Sequence, residues 1–200
     1  PGAILLEATF FINVVSSLPD VVLDVKEIEQ KQIVLVSGKS EITLKGKDAE
    51  QYPRIQEISA SNPLTLPIQT LKKIISETAF AASTQESRPI LTGVHFVLSD
   101  HKELKTVATD SHRMSQKNIT LEKNGDNFDV VIPSRSLREL TSVFSDEIEQ
   151  VEVFFANNQI LFRSDNISFY TRLLEGNYPD TDRLIPTEFS SEVTFKVAHL

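Results

Sequence analysis

The chain has 200 residues, 40% of them hydrophobic and 24% charged, with a formal net charge of −8 and no cysteine. That length suffices for one full domain with a core and part of another. Missing cysteine excludes disulfides, thiolate catalysis and cysteine-ligated zinc, and no run of about 20 apolar residues could span a membrane. The lack of thiols suits a cytoplasmic protein. Twelve Phe, no Trp and one Met predict an aliphatic, Phe-filled interior. The acidic balance argues against a nucleic-acid partner, unless the charges are sorted onto different faces.

In chain order, Pro1-Gly2-Ala3-Ile4 offers no initiator Met and no basic stretch before an apolar one. It reads as an interior cut and not as a signal peptide. Without a secretory signal, the glycosylation patterns Asn118-Ile119-Thr120 and Asn166-Ile167-Ser168 carry no weight. The Phe10–Leu18 segment predicts a first helix. Pro67 then favours a helix start, since its missing N–H would be unpaired there, and Ile68, Leu71, Ile75, Ala79 and Ala82 form a buried stripe. Strands follow at Val94–Leu98, Leu104–Thr109 and His112–Ile119, with turns at Ser99-Asp100-His101-Lys102 and Lys123-Asn124-Gly125-Asp126. Ser134 is the candidate cap of another helix, with the stripe Leu137, Leu140 and Phe144. Further strands fall at Val151–Phe155, Ile160–Arg163 and Ile167–Leu173, with turns at Asn157-Asn158 and Glu175-Gly176-Asn177.

The chain repeats itself. Thr9–Pro53 matches Arg135–Pro179: Phe11, Val14 and Leu18 fall on Leu137, Leu140 and Phe144, Asp20 on Asp146 and Val25 on Val151, all at a shift of 126. Gln32-Ile33 meets Gln159-Ile160 one residue further along, Ile42 meets Ile167 one residue back, and Tyr52-Pro53 regains register on Tyr178-Pro179. Leu64-Thr65-Leu66 and Leu71 likewise parallel Val193-Thr194-Phe195 and Leu200. The expectation is a tandem array of domains of about 130 residues. Residues 1–60 would be the closing half of one copy, 61–188 a complete copy and 189–200 the opening of the next. Each copy reads as two halves, strand-helix-strand-strand-strand, giving an α+β class with helices on one face of antiparallel sheets.

The outer helix faces carry Gln69, Lys72, Lys73 and Ser76 on one helix, and Arg135, Arg138 and Ser142 on the other. Ordinary solvated faces and a weak, sequence-independent phosphate contact both account for them, and the residues alone leave the two open. The Phe10–Leu18 helix presents Thr9, Asn13 and Ser16 with no cation. Asp110-Ser111-His112 contains the residue types of a hydrolase triad. Contiguous residues on an extended chain point to alternate faces, so a relay would need a partner from elsewhere. His95 is read as a strand residue with a satisfied ring, and His112 as structural or peptide-contacting. With His101 and His199 they show no metal-ligand spacing, and no phosphate-loop or dinucleotide glycine pattern is present. A repeat-built protein-binding scaffold remains the rival to a nucleic-acid role.

Val107-Ala108-Thr109-Asp110-Ser111-His112-Arg113-Met114 resembles a motif of the bacterial DNA sliding clamp family, the beta subunit of the replicative polymerase. Arg88-Pro89-Ile90-Leu91-Thr92-Gly93-Val94, Tyr178-Pro179-Asp180 and Arg183-Leu184-Ile185-Pro186 extend the resemblance along the whole chain. The resemblance implies a non-catalytic processivity factor without cofactor or metal, a cytoplasmic homodimer ring of three-domain subunits with helices lining the channel. Residues 1–60 would close domain 1, 61–188 form domain 2 and 189–200 open domain 3. It implies that Lys72, Lys73, Arg135 and Arg138 face enclosed duplex DNA, with Gln85 on a nearby loop. Relatives often carry aromatics where this chain has Pro89 and Ile90.

The resemblance also implies a pocket between domains 2 and 3 for short Gln- and Leu-containing peptides of polymerase, clamp-loader and repair-polymerase partners, and no membrane partner. Leu91, Thr109, Met114, Pro179 and Leu184 match its apolar floor, and His112, Arg113 and Arg183 its polar edge. Two apolar anchors at about 1.5–3 kcal/mol each support exchangeable, micromolar binding. Ser111 stands where relatives commonly have Gly, a change expected to narrow the pocket. The third-domain wall is expected to lie beyond this stretch, so the segment alone is expected to bind partners weakly or not at all.

Overall fold

Hydrophobic alternation and two amphipathic stripes organise the chain, for which a computed structural model describes residues 2–19, 22–28, 31–53, 58, 63–122, 125–156, 158–196 and 198. Asp20, Lys123, Asn124, Asn157, His199, Leu200 and the expected boundary at 60/61 lie outside the described residues. Two compact units are formed, Pro1–Glu57 and Ile58–Leu200.

In the first unit, strand β1 (Ile4–Leu5) leads into helix α1 (Ala8–Ser16), followed by β2 (Leu23–Ile28), β3 (Gln32–Ser37), β4 (Ser40–Lys45) and β5 (Lys47–Asp48). β2, β3 and β4 form an antiparallel sheet, and β1 pairs with β5. Phe11, Val14 and Val15 of α1 pack on a small core of Ile33, Leu35 and Leu44.

The second unit has two halves of the expected pattern. The first is β6 (Leu64–Pro67), α2 (Ile68–Thr78), β7 (Gly93–Ser99), β8 (Glu103–Thr109) and β9 (Met114–Thr120). The second is β10 (Phe128–Pro133), α3 (Ser134–Val143), β11 (Gln150–Ala156), β12 (Gln159–Ser164) and β13 (Ile167–Arg172). The halves exchange their leading strands. One sheet runs β10-β7-β8-β9 and the other β13-β12-β11-β6, all antiparallel. α2 packs over β8 and β9, α3 over β7 and β10, and the helices touch each other. One core joins both sheets and both helices, with Phe128 and Phe155 stacked at 4.3 Å between β10 and β11.

Both predicted stripes are buried. Ile74 joins the first, and Leu137, Leu140 and Phe144 are fully enclosed. The helix ends differ from expectation. α2 stops at Thr78, Ala79–Ala81 tightens to a 3-10 turn, and Ala82 is extended. Pro67 is the last residue of β6, and the first free helical N–H, that of Ile68, donates to the Glu149 carbonyl at 3.1 Å. Ser134 does not cap α3. Pro133 holds that position, and the buried Ser134 hydroxyl accepts from Arg138 instead. An orphan helix donor next to a strand finds a backbone partner, so a side-chain cap is dispensable.

Register corrects the internal repeat. Ser37 faces Ser40 and Ser164 faces Ile167 across two-residue turns that open with positive φ at Gly38 (59°) and Asp165 (46°). Ile42 therefore corresponds to Phe169, and not to Ile167. The two alignments differ by two residues, which keeps each side chain on its face and makes them indistinguishable by hydrophobic pattern. Residues 193–195, expected to open a further copy, pair with no strand among the described residues, and Val193 and Phe195 are exposed. β6, their counterpart, is a strand because β11 lies beside it. Among the described residues no helix is long and apolar enough to cross a membrane.

Phe144→Ala is expected to lower the unfolding free energy by about 3–5 kcal/mol, because a fully buried ring leaves a cavity among both helices and both sheets. Gly93→Ala is expected to cost about 1–3 kcal/mol, since a Cβ there would stand 2.5 Å from Val131 Cγ1 and 2.9 Å from the Ile132 carbonyl oxygen. Equilibrium urea unfolding measures both.

Candidate functional site

The outer faces of α2 and α3 meet along an open groove lined by Gln69, Lys72, Lys73, Ser76, Phe80 and Arg138, among others. Three of the predicted cations thus share one surface because their helices lie side by side. Each is in a different state. Lys72 Nζ donates to Asp146 Oδ1 at 2.6 Å, and this bond, with a second from Gln69, holds the Asp146 carboxyl below its ordinary range. Arg138 donates to the Ala79 carbonyl at 3.1 Å, tying α3 to the end of α2. Lys73 is exposed and makes no ion pair among the described residues. Arg135 is not part of the groove. It stands exposed on the first turn of α3 and pairs with Glu139 at 2.9 Å. Gln85 lies on an exposed loop beyond α2, where its N–H donates to the Ser83 hydroxyl.

A second cluster gathers at the β8–β9 turn. β9 begins at Met114, not at His112, so the predicted strand starts two residues late. Asp110 is the cause. Its carboxylate accepts the backbone N–H groups of His112 and Arg113, both at 3.0 Å, and the Arg113 guanidinium at 3.0 Å. Those bonds, the backbone ones foremost, pull its pKa below the ordinary value. Ser111 sits in the left-handed region with φ 76°, which explains why glycine suits this position: the effect of serine is first on the backbone. Thr109 is buried, pairs with Met114, and its hydroxyl donates to the Arg113 carbonyl at 2.8 Å.

The segment Tyr178–Leu184 lies along β8 from the other side. Thr109 N–H donates to the Tyr178 hydroxyl at 3.1 Å, and four residues along each segment Lys105 pairs with Asp182. Pro179 and Arg183 are exposed, Arg183 pairs with Asp180 at 2.8 Å, and Leu184 is 62% exposed. The strap contacts bring Tyr178, and with it Pro179, beside Thr109, which is paired with Met114, while Arg183 and Leu184 follow Asp182 beside Lys105. Leu91 is buried, in the 3-10 turn Pro89–Thr92 that also carries exposed Pro89 and half-buried Ile90.

Asp110, Ser111 and His112 form no relay. The reason differs from the extended-chain argument, because the three sit in a tight turn. The Asp110 carboxylate is committed to the turn backbone and Arg113, and the exposed His112 ring makes no hydrogen bond among the described residues. His95 has the expected satisfied ring, with Nε2 2.6 Å from Asp129 Oδ1 and the imidazole stacked on Tyr178 at 4.7 Å. Sequence reasoning missed Tyr178 as a contact, although the repeated Tyr-Pro marked it. Burial pushes its hydroxyl up to about 12, against the opposing pull of the Thr109 N–H. It also missed Phe80, a half-exposed ring off the apolar stripe, whose carbonyl accepts from Arg113 and whose ring lies 5.8 Å from that guanidinium.

Comparison with known proteins bears on the whole chain. Residues 65–180 match the family model for the DNA polymerase III beta subunit, central domain, and residues 1–56 that for its N-terminal domain. A beta sliding clamp of Streptococcus pneumoniae serotype 4 is 82% identical over 199 residues, covering all of this chain and 53% of the relative. One of Lactococcus lactis is 53% identical over 201 residues with the same coverages. The chain thus spans about half the length of the curated relatives it matches. A crystal structure described as DNA polymerase III, beta chain (EC 2.7.7.7), from S. pneumoniae superposes with a TM-score of 0.89 at 84% identity, covering 94% of this chain and 50% of that one. A polymerase sliding clamp from Bacillus subtilis gives 0.87 at 40% identity, with coverages of 94% and 50%. Fold and sequence agree, and the chain belongs to the DNA polymerase III beta subunit family, the bacterial beta sliding clamps.

Proposed function

We propose that this chain is part of a ring-shaped, non-catalytic processivity factor of the cytoplasm, which encloses duplex DNA without reading its sequence and tethers polymerase and repair proteins. On this reading residues 1–60 close a first clamp domain, 61–188 form the second and 189–200 open a third, with two subunits closing the ring. The observation that carries it is the pairing of α2 and α3, which puts Lys72, Lys73 and Arg138 along one groove of a protein with net charge −8. Cations gathered along one groove of a chain with net negative charge permit weak phosphate contact there, while the acidic balance discourages stray binding. Enclosure, and not grip, then provides retention. The partial neutralisation of Lys72 by Asp146 and of Arg135 by Glu139 fits a surface over which DNA must slide.

Those same internal bonds favour the second reading, a protein-interaction scaffold whose helix cations are incidental. Retention of the full-length protein on closed circular DNA, with release on linearisation, separates the two. Replacing Lys72, Lys73, Arg135 and Arg138 together by Glu is expected to impair loading or sliding, with Lys73→Glu contributing most per residue because Lys73 is exposed and makes no ion pair among the described residues. Unchanged retention in the quadruple variant would favour the scaffold. Since Arg138 also ties α3 to the Ala79 carbonyl, an Arg138→Gln control distinguishes lost charge from lost structure.

For peptide tethering we propose Thr109, Met114, Pro179 and Leu184 as apolar contacts, Leu91 as support beneath them, and Ser111, His112, Arg113 and Arg183 at the rim. Peptides of polymerases and clamp-loader subunits are the partners. Leu184→Asp is expected to lower polymerase stimulation by the full-length protein about tenfold or more, since one apolar anchor contributes about 1.5–3 kcal/mol. Its side chain is largely exposed, so the fold survives. Met114→Asp is expected to act in the same direction, and full stimulation in both variants would remove the pocket assignment.

A further inference from the structure

Tyr178 belongs to no role assigned above, yet two contacts converge on it. The ladder between β7 and β8 ends at His95 opposite Val107, so the N–H of Thr109 has passed beyond the last β7 partner. Thr109 is 5% exposed, and a buried N–H without a partner costs as much as a lost hydrogen bond. The Tyr178 hydroxyl takes that place at 3.1 Å. Its ring is clamped on the other side by His95, stacked at 4.7 Å and 28°, while Asp129 holds the imidazole at 2.6 Å. The next anchor, Asp182 on Lys105, is a partly exposed ion pair of the kind that contributes little.

We propose that Tyr178 is a positioning residue for peptide binding: its hydroxyl extends the β8 hydrogen-bonding edge onto the strap, and its clamped ring sets where Pro179 and Leu184 stand relative to Thr109 and Met114. This rests on the pocket reading. The physical logic is preorganisation. Pro179 and Leu184 are exposed, so their place is inherited from what anchors the strap: Pro179 follows Tyr178 directly, and Leu184 hangs from the turn in which its N–H donates to the carbonyl of buried Thr181 at 3.1 Å. A strap fixed before the peptide arrives loses less freedom on binding than one ordered by it. Tyr178 also joins the halves of the second unit, because it follows β13 in sequence and bonds to β8 in space.

The test uses the full-length protein, a fluorescein-labelled synthetic peptide containing Gln and Leu, and backbone amide exchange. In Tyr178→Phe the stack on His95 is kept and the acceptor is lost. The peptide dissociation constant is expected to rise about tenfold, the scale of one unsatisfied buried donor. Exchange at the Thr109 amide is expected to accelerate while β12 amides and retention on circular DNA stay as they were. Phe162→Leu, destabilised in the shared core but on β12 of the other sheet, is the control and is expected to leave peptide affinity within twofold. Lys105→Met is expected to weaken binding by about twofold only. If the parent protein binds peptide and Tyr178→Phe binds it equally well, the positioning role is wrong and the pocket stands. If the parent fails to bind, or Leu184→Asp binds like the parent, the pocket itself is wrong and this role falls with it.

Discussion

The exchange of leading strands between the two halves of the second unit is the constraint from which the rest follows. β6 and β10 each complete the sheet of the other half, so neither half has a finished sheet alone. Each helix leaves the end of an exchanged strand and must return over the shared core. That brings α2 and α3 into contact on one side, over β8–β9 and β7–β10. The groove carrying Lys72, Lys73 and Arg138 is a by-product of this closure. It exists because two stripes must be buried together, and the opposite faces then come together in the open.

The same closure explains why the helix charges are not simply free cations. Arg138 sits where the end of α2 leaves a carbonyl exposed to α3, and it donates there. Lys72 reaches Asp146, just past α3. One residue thus serves both helix packing and surface charge. The groove therefore carries less free positive charge than its residue types alone suggest.

At the β8–β9 turn, contacts are assembled from segments remote in sequence. Asp110 folds the β8–β9 connection into a turn by capturing two backbone N–H groups, and Ser111 tolerates positive φ inside it. Tyr178 and Asp182 lay the later strap along β8. Arg113 then reaches from the turn to the Phe80 carbonyl at the end of α2. The β8–β9 turn and the helix groove are therefore joined through a single side chain, although they come from different parts of the sequence.

Residue order alone determined the α+β class, the buried stripes of α2 and α3, the strands β7 to β9 and β11 to β13 within a residue or two at most ends, and the internal duplication, because periods of 3.6 and 2 report which side chains must leave water. It also placed the family, through motifs spread over the whole chain. Three matters were decided only in three dimensions. A strand's partner depends on which edge lies beside it, so the exchange of β6 and β10 and the lack of pairing at 193–195 left no mark in local periodicity. A shift of two residues preserves every face, so the match of Ile42 to Ile167 looked sound until the turns fixed Phe169 instead. The state of a charge depends on neighbours about seventy positions away, as Asp146 is from Lys72 and Tyr178 from Thr109. Burial is a property each residue carries in itself, whereas pairing, register and electrostatic partnership belong to two residues at once, and only the folded chain brings the second one near.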